Sequence, residues 1–434
     1  MAQAHPCFRI IINPQTLSVR RELSSSNKEP IMSSVKINQD IKNNINFSIK
    51  YSRLILKMIG LWPIFDKSST IHKYLQWLYN VICYSLIMFI IISGWIYISL
   101  EVENIYDRLK FVSLMSFCML SITKYHLINI HKDDVRECVK RIEWDWKNIS
   151  YSEDREIMLM NANFGKRLII VTTTVTYSGF VFFYIAVPMK IGKIPAPDAN
   201  ISFIPTMFPF PKYIADVRYS PINEIVFLAQ FICGFLLHGI TSSVCSLAAI
   251  LTVHACGQIQ VMMVWLKHLI DGRLDMCNSI DQRIATIVNQ HVRILKFLSL
   301  IEKILQQVSY MEFLECTMNV CLLGYCAIME WESNHLTEVI TYLILLITII
   351  FNIFIFCYIG ELLANQSRNI GEVTYMIEWY QLFGKKKLCC VLIIAMSNSS
   401  TKLTAGNLIE LSMSTFSDVI KTSFAFLNVL RTLT

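Results

Sequence analysis

Four long stretches of this 434-residue chain contain no charged side chain, and they restrict its possible folds more than any other feature. They cover residues 74–100, 168–189, 225–266 and 339–360. Each is long enough to cross a hydrocarbon layer of about 30 Å as a helix that rises about 1.5 Å per residue. A single segment can satisfy its own backbone hydrogen bonds in lipid only as a helix. The pattern therefore predicts an all-α polytopic membrane protein.

Three further stretches are apolar but carry polar or charged residues. Residues 111–130 contain Lys124, residues 313–328 contain Glu315, and residues 388–430 are studded with polar side chains. We therefore predict seven transmembrane helices within a membrane domain of residues 38–434, preceded by a disordered extension over residues 1–37 that is rich in Ser and Pro. The predicted spans are about 77–100, 110–130, 168–189, 223–256, 305–328, 338–361 and 388–430, the last with a break near 398–405.

The distribution of Lys and Arg predicts the orientation in the membrane. If residues 225–266 form one long span, the loops on one side hold 30 basic residues and those on the other hold 7. If that run is split into two spans, the division becomes 21 against 16. Basic loops stay in the cytoplasm. We therefore expect one long span here, a cytoplasmic N-terminus and an extracellular C-terminus, the opposite of a G-protein-coupled receptor.

Composition and motifs argue against several other classes. The chain is 54% hydrophobic and only 16% charged, which is too apolar for a soluble protein. It has no phosphate-binding glycine loop, nucleophile elbow or paired His-Glu zinc motif, so we expect neither an enzyme nor a cofactor. The cysteines avoid the loop 190–222, and the adjacent Cys389 and Cys390 have no metal-binding spacing. We expect no metal site and, because the basic residues lie in cytoplasmic loops, no nucleic-acid partner. Paired broken spans, as in a secondary transporter, are also missing.

The loop 190–222 is predicted to lie outside the cell and to carry two features. It contains six prolines and several aromatic residues, which favours either an ordered lid over a cavity between the helices or an ordinary surface crossover. It also contains the triplet Asn200-Ile201-Ser202, a glycosylation sequon at Asn200.

Aromatic residues recur at helical spacing in the outer halves of several predicted spans. An apolar pocket with few polar groups is the usual composition of a small-molecule site, although each residue alone is also compatible with helix packing. No charged residue is predicted to face this pocket, so we expect a small, uncharged organic ligand. The candidate ligand-binding residues are Phe117, Tyr177, Phe180, Tyr184, Phe227, Phe231, His238 and Tyr342.

The last predicted span carries a polar stripe. Its members recur every three or four residues and would therefore share one face of a helix. Charged groups at membrane depth point to the protein interior or to water, so the stripe suggests an ion pathway, with hydrogen bonding between neighbouring helices as the alternative. The stripe comprises Asn407, Glu410, Ser414, Asp418 and Lys421.

Several motifs resemble those of the insect odorant receptors. Residues 60–63 (Gly-Leu-Trp-Pro) are similar to the motif that precedes the family's first span. Ahead of the last span, the chain has Ser367, Tyr375, Trp379 and Tyr380 at the family's spacing. Similar short motifs follow in order at residues 405–406, 411–412, 415–416 and 421–423. The resemblance runs from about Asn38 to Leu433.

The resemblance implies a tetrameric, odorant-gated, non-selective cation channel in the plasma membrane of olfactory neuron dendrites. Its partners would be a small volatile ligand, the lipid bilayer and the family's co-receptor subunit. The loop 267–290 is short where the co-receptor has an insertion, which implies a ligand-tuning subunit. Phe426, Val429 and Leu430 match the family's hydrophobic constriction. A gustatory-type receptor channel is the nearest alternative, and a G-protein-coupled receptor or a transporter is more remote.

Overall fold

The computed structural model describes residues 34–63, 70–195, 202–398 and 402–433. The chain divides into two compact units, residues 1–40 and residues 41–434. Of the first unit, only the backbone of residues 34–40 is described, as the start of helix α1. Most of the predicted N-terminal extension and the Asn200 side chain lie outside the described residues.

Long helices form most of the described chain. The helix that ends at Val181 continues into a π-helical turn, Phe182–Ala186. A short 3-10 turn, Trp379–Gln381, follows the helix that ends at Met376. Two small antiparallel hairpins pair β1 (Ile194–Pro195) with β2 (Ser202–Phe203), and β3 (Thr404–Ala405) with β4 (Ile409–Glu410). The helices are α1 (Ser34–Met58), α2 (Thr70–Leu100), α3 (Ile105–Ile130), α4 (Lys132–Asn148), α5 (Ser152–Val181), α6 (Val187–Ile191), α7 (Ile222–Lys267), α8 (Ile280–Glu332), α9 (Leu336–Met376), α10 (Lys386–Asn398) and α11 (Met413–Leu433).

Among the described residues, six helical segments are long and apolar enough to cross a membrane. They are α2, α3, the segment from α5 to the end of α6, α7, α8 and α9. They contain the first six predicted spans. The seventh predicted span, for which the sequence predicts a break near 398–405, is divided between α10 and α11, with the second hairpin between the two helices.

Helix α7 occupies the centre of the second unit. It is one continuous helix of 46 residues, so the longest uncharged run does not fold back on itself. Every residue from 236 to 259 is buried, because α5, α8 and α9 pack around it. A helix that is apolar on all sides requires such surroundings.

The β3–β4 hairpin corrects the prediction of one polar stripe on a single helix. Gly406 and Asn407 have φ angles of +63° and +58°, which suit a tight turn and interrupt a helix. The turn is fixed to α8 because the Gly406 amide donates a hydrogen bond to the Gln306 carbonyl at 2.8 Å. Asn407 and Glu410 therefore lie in the hairpin, and only Ser414, Asp418 and Lys421 lie on α11. The preference of Gly406 and Asn407 for a turn therefore outweighs the helical spacing of the polar residues.

Candidate functional site

A cavity of about 150 Å³ lies among the helices of the bundle. Its walls come from α3, the end of α5, the π-helical turn, α7, α8 and α9, and from Met207 in the loop after β2. A volume of this order is enough for a small single-ring molecule. Four predicted ligand-binding residues line it: Phe117, Tyr184, His238 and Tyr342.

An aromatic cluster supports one wall of the cavity. The ring of Phe180 stacks on Tyr184 at 4.8 Å between centroids and lies 5.2 Å from Phe231 and 6.1 Å from Tyr177. Tyr177, Phe180 and Phe231 therefore pack behind the lining residues and do not themselves line the cavity. Phe227 is half-buried and does not line it either.

The π-helical turn and a glycine bring Tyr184 against α7. The turn spans Phe182–Ala186 and so contains Tyr184, whose side chain is almost fully buried. On α7, Gly234 faces this ring so closely that a Cβ atom at that position would overlap it. The close approach therefore depends on the missing side chain of Gly234.

His238 presents an imidazole edge to the cavity. Its Nδ1 lies 2.9 Å from the carbonyl oxygen of Gly234, and because a carbonyl only accepts, this nitrogen donates. In the neutral ring, Nε2 is then a hydrogen-bond acceptor. The ring centroid lies 5.6 Å from that of Phe117 and 5.9 Å from that of Tyr184, so the imidazole completes the aromatic wall.

The expectation that no charged residue faces the pocket is wrong. Lys110 and Glu315 both line the cavity. Lys110 forms an ion pair with Glu330 at 3.3 Å, and its ammonium nitrogen lies 5.9 Å from the centre of the Tyr342 ring. Both residues lie at the edges of apolar stretches in the sequence, but the sequence does not show that they are on the sides of their helices that face the cavity.

A buried ion cluster joins α3 to α8 beside the cavity. Lys124 has no solvent exposure, and its Nζ lies 2.8 Å from Glu312 and 2.6 Å from Glu315. Charged residues within membrane helices are costly and normally pair with one another. The sequence shows opposite charges in the second and fifth candidate spans, which makes a pair between them possible, but it does not show that these two helices are in contact.

Asn319 lies on the same side of α8, one turn after Glu315. Its Oδ1 accepts hydrogen bonds from the hydroxyls of Ser113 at 2.9 Å and Ser116 at 3.3 Å. Its Nδ2 is buried and has no hydrogen-bond partner within the described chain. Asn319 also lines the cavity, which therefore has polar groups along the α8 side.

The loop after β2 is attached to the start of α7. The side chain of Gln230 bonds to both the amide and the carbonyl of Phe208, each at 3.0 Å, and Phe208 is fully buried. Asn223 donates to the Ile204 carbonyl at 2.8 Å. These bonds hold the segment that carries Met207 at the cavity.

The same loop contains an ion pair between Asp216 and Arg218. Arg218 donates to both carboxylate oxygens of Asp216, from Nε at 2.9 and 3.1 Å and from Nη2 at 2.7 Å. Hydrogen bonding from Arg218 lowers the pKa of Asp216 to about 2. The pair therefore remains charged at any pH near neutrality.

Helix α11 packs on α8 with one face and leaves the other uncovered in the single chain. Leu427 is buried close to Gly324 of α8. On the opposite side, Ser414, Asp418 and Lys421 are exposed, and Asp418 and Lys421 form an ion pair at 3.6 Å. Glu410, in the hairpin, pairs instead with Lys402 at 2.8 Å.

The three predicted gate residues divide between the two sides of α11. Phe426 and Val429 are more than half exposed. Leu430 is partly buried and packs against the cluster that contains Leu427 and Tyr342. Phe426 and Val429 thus lie on the uncovered face, whereas Leu430 lies at its edge, toward the cavity wall.

The four motif residues ahead of the last helices lie at the end of α9 and in the 3-10 turn. Ser367 is buried on α9, and Tyr375 is exposed near its end. Trp379 and Tyr380 lie in the 3-10 turn, with ring centroids 6.4 Å apart. Lys387 at the start of α10 lies 5.8 Å from the centre of the Trp379 ring. The motif therefore forms the bend between α9 and α10.

Comparisons with known proteins agree on one family. The family model described as 7tm Odorant receptor matches residues 104–424. Odorant receptor 10 of Aedes albopictus is 23% identical over 217 residues, which cover 50% of this chain and 57% of that protein. Odorant receptor 85b of Drosophila melanogaster is 25% identical over 150 residues, 35% of this chain and 38% of its own length. In these two matches the chain therefore spans about half or less of the relative. Odorant receptor 85c of the same fly is 20% identical over 89% of this chain and 98% of its own length.

Solved structures show the same fold. The olfactory receptor OR5 from Machilis hrabei in complex with eugenol superposes with a TM-score of 0.72, at 14% identity, over 92% of this chain and 99% of that one. The structure of the same receptor described without eugenol gives a TM-score of 0.71 at 16% identity, with the same coverage. At these identities the likeness concerns the fold alone.

Proposed function

Because the chain belongs to the 7tm odorant receptor family, we propose that it is an odorant-gated, non-selective cation-channel subunit. It acts with the family's co-receptor in the dendritic plasma membrane of olfactory neurons and binds small volatile organic molecules. The observation that carries this proposal is the cavity of about 150 Å³ with aromatic walls and a few polar groups, the composition of a small-molecule site. An odorant opens such a channel only if it binds the open state more tightly than the closed one.

The direct test is electrical recording from cells that express this chain together with a co-receptor subunit. A panel of volatile alcohols, aldehydes, esters and aromatic hydrocarbons should include ligands that evoke a cation current. Cells that express the co-receptor alone, tested with the same panel, control for responses that do not need this chain. If both subunits reach the cell surface and no compound evokes a current beyond this control, the proposal fails.

We propose that α11 supplies the seventh crossing, with the N-terminus in the cytoplasm and the C-terminus outside. The support is the predicted 30-to-7 division of basic residues, because basic loops remain cytoplasmic. An epitope at the C-terminus should be stained in intact cells, and an epitope at the N-terminus only after permeabilisation. Staining of the N-terminal epitope in intact cells would contradict this orientation.

The lining aromatic residues should determine which ligands are effective. Phe117→Ala removes a ring that borders the cavity and enlarges it, so we expect the ranking of ligands to shift toward larger molecules, with changes of about tenfold in half-maximal concentration for some. Phe227→Ala is the matched control, because Phe227 is an aromatic residue of α7 that does not line the cavity. Equal effects of the two substitutions would contradict a direct contact between ligand and Phe117.

The uncovered face of α11 is our candidate for the pore lining. Exposed Ser414 and Asp418 would not be stable against lipid, whereas four such faces around a central axis would line a water-filled path. Toward the C-terminal end of α11, Phe426 and Val429 make this face apolar, which suits a gate that closes by dewetting. We propose that Leu430 supports this constriction from its edge, and that Glu410 contributes charge from the hairpin.

Val429→Ser should therefore raise the current that flows without ligand, because a polar side chain lets water remain in the constriction. Phe424→Ser is a suitable comparison, because Phe424 is about as exposed as Val429 but lies on another side of the helix. Basal current and ion selectivity are the measurements, normalised to surface expression. An unchanged basal current in Val429→Ser would instead favour a packing role for this face.

A further inference from the structure

One residue that lines the cavity carries a buried hydrogen-bond donor that the described part of the chain does not satisfy. Asn319 is 1% exposed, and its Oδ1 is occupied by the hydroxyls of Ser113 and Ser116. Its Nδ2 has no partner in the described part of the chain. An unsatisfied buried amide is costly, so this site stabilises any ligand that brings an acceptor to it.

A hydrogen-bond acceptor, Glu315, lies one helical turn away. Glu315 and Asn319 are four residues apart on α8 and both line the cavity, so their Cβ atoms are about 5–6 Å apart. Lys124 binds Oε2 of Glu315 at 2.6 Å, but the same ammonium group also serves Glu312 at 2.8 Å. Among the described residues, Glu315 receives no hydrogen bond other than this one from Lys124, so its Oε1 is available to a further donor.

Building on the proposed odorant cavity, we propose that Glu315 and Asn319 form a head-group site for ligands that carry a hydroxyl group, that is, alcohols or phenols. A hydroxyl oxygen accepts from the Asn319 Nδ2–H while its proton is donated to the Glu315 carboxylate. The hydrocarbon part of the ligand then packs against the aromatic wall formed by Phe117 and Tyr184.

Other head groups satisfy the pair less well. A carbonyl oxygen accepts from Asn319 but offers no proton to Glu315. An ammonium group can donate to Glu315 but has no lone pair to accept from the Asn319 N–H, and its charge must be desolvated to enter the cavity. A carboxylate is repelled by Glu315, which lies beside a second carboxylate at Glu312. A hydrocarbon leaves the Asn319 donor unsatisfied and offers no further donor to Glu315.

The test measures binding of four similar benzene derivatives to the purified full-length protein in lipid nanodiscs. The probes are benzyl alcohol, benzaldehyde, benzylamine and ethylbenzene. We expect benzyl alcohol to bind with a Kd about five- to tenfold lower than ethylbenzene, and benzaldehyde to lie between them, as the loss of one hydrogen bond or both predicts. Equal Kd values for benzyl alcohol and ethylbenzene in the wild-type protein would overturn the proposal, whatever the variants show.

Substitutions then assign the preference to the pair. Asn319→Leu should abolish the preference for benzyl alcohol while ethylbenzene binding stays within about twofold. Thr348→Val is the matched control, because Thr348 also lines the cavity but its hydroxyl already donates to the Ile344 carbonyl at 3.0 Å. Glu315→Gln keeps an acceptor oxygen and should retain part of the preference. A full preference in Asn319→Leu would overturn the assignment.

Direct binding separates this inference from the proposed channel function. A preference for benzyl alcohol in nanodiscs supports the head-group site even if cells give no current, in which case the channel proposal fails alone. Odorant-evoked currents together with equal binding of the four probes would overturn the head-group site alone. If none of the four probes binds, both the cavity as the odorant site and the head-group site are wrong.

Discussion

Lys124→Met should greatly reduce the amount of folded protein at the cell surface. The substitution keeps the length of an unbranched side chain but leaves Glu312 and Glu315 buried on α8 without their counter-charge. Removing one partner from a buried ion pair costs about 3–5 kcal/mol, and a typical domain is stable by only about 5–15 kcal/mol. Surface expression and the thermal stability of the purified protein are the measurements. Lys267→Met, at an exposed lysine at the end of α7, should leave both unchanged.

A compensating variant separates charge from packing in this experiment. If the cost arises from unpaired buried carboxylates, the triple substitution Lys124→Met, Glu312→Gln and Glu315→Gln should restore much of the expression, since neutral replacements of buried ions are often tolerated. If the triple variant is as poorly expressed as Lys124→Met, the lysine matters through its packing. Normal expression and stability of Lys124→Met itself would show that the ion cluster does not hold α3 against α8.

The apolar runs predicted the long helices because an uncharged stretch has only one stable conformation in lipid. For α2, α5, α7 and α9, composition alone was therefore sufficient. The charged residues of α3 and α8 weakened the prediction of these two helices from composition, although both helices are present. Lys124 and Glu315 compensate each other across the helix interface, and such pairing depends on which helices are neighbours. A single sequence does not contain that information.

The lining of the candidate cavity was predicted only in part, because the sequence does not show which faces of the helices meet. Helical spacing indicates which residues share a face, but α7 is covered on almost all sides, so its apolar pattern does not identify the face toward the cavity. His238 lines the cavity, whereas Phe227, near the start of the same helix, does not. The π-helical turn that follows α5 changes the residue spacing that determines where Tyr184 points. The polar α8 side was missed because Glu315 and Asn319 interrupt an apolar stretch and offered no aromatic signal.

Gly234→Ala should reshape the cavity more strongly than any single change to its lining. An alanine Cβ at this position would overlap the ring of Tyr184, which also stacks on Phe180. The ring must therefore shift toward the cavity, or the helices must separate at a cost of about 1–3 kcal/mol. Alanine is favoured over glycine within a helix by about 1 kcal/mol, so any loss of stability must come from the overlap.

We expect Gly234→Ala to reduce the response to the larger effective ligands by tenfold or more, because the displaced ring takes up part of the roughly 150 Å³ cavity. Dose-response curves for ligands of increasing size, together with thermal stability, measure both consequences. Gly165→Ala is the control, since a Cβ there would lie 3.4 Å from Val253, an ordinary contact. Adding Tyr184→Leu to Gly234→Ala should restore sensitivity to large ligands, because the smaller side chain no longer meets the new methyl group. If Gly234→Ala responds like the wild type, the Tyr184 ring can move without entering the cavity, and its position does not determine ligand size.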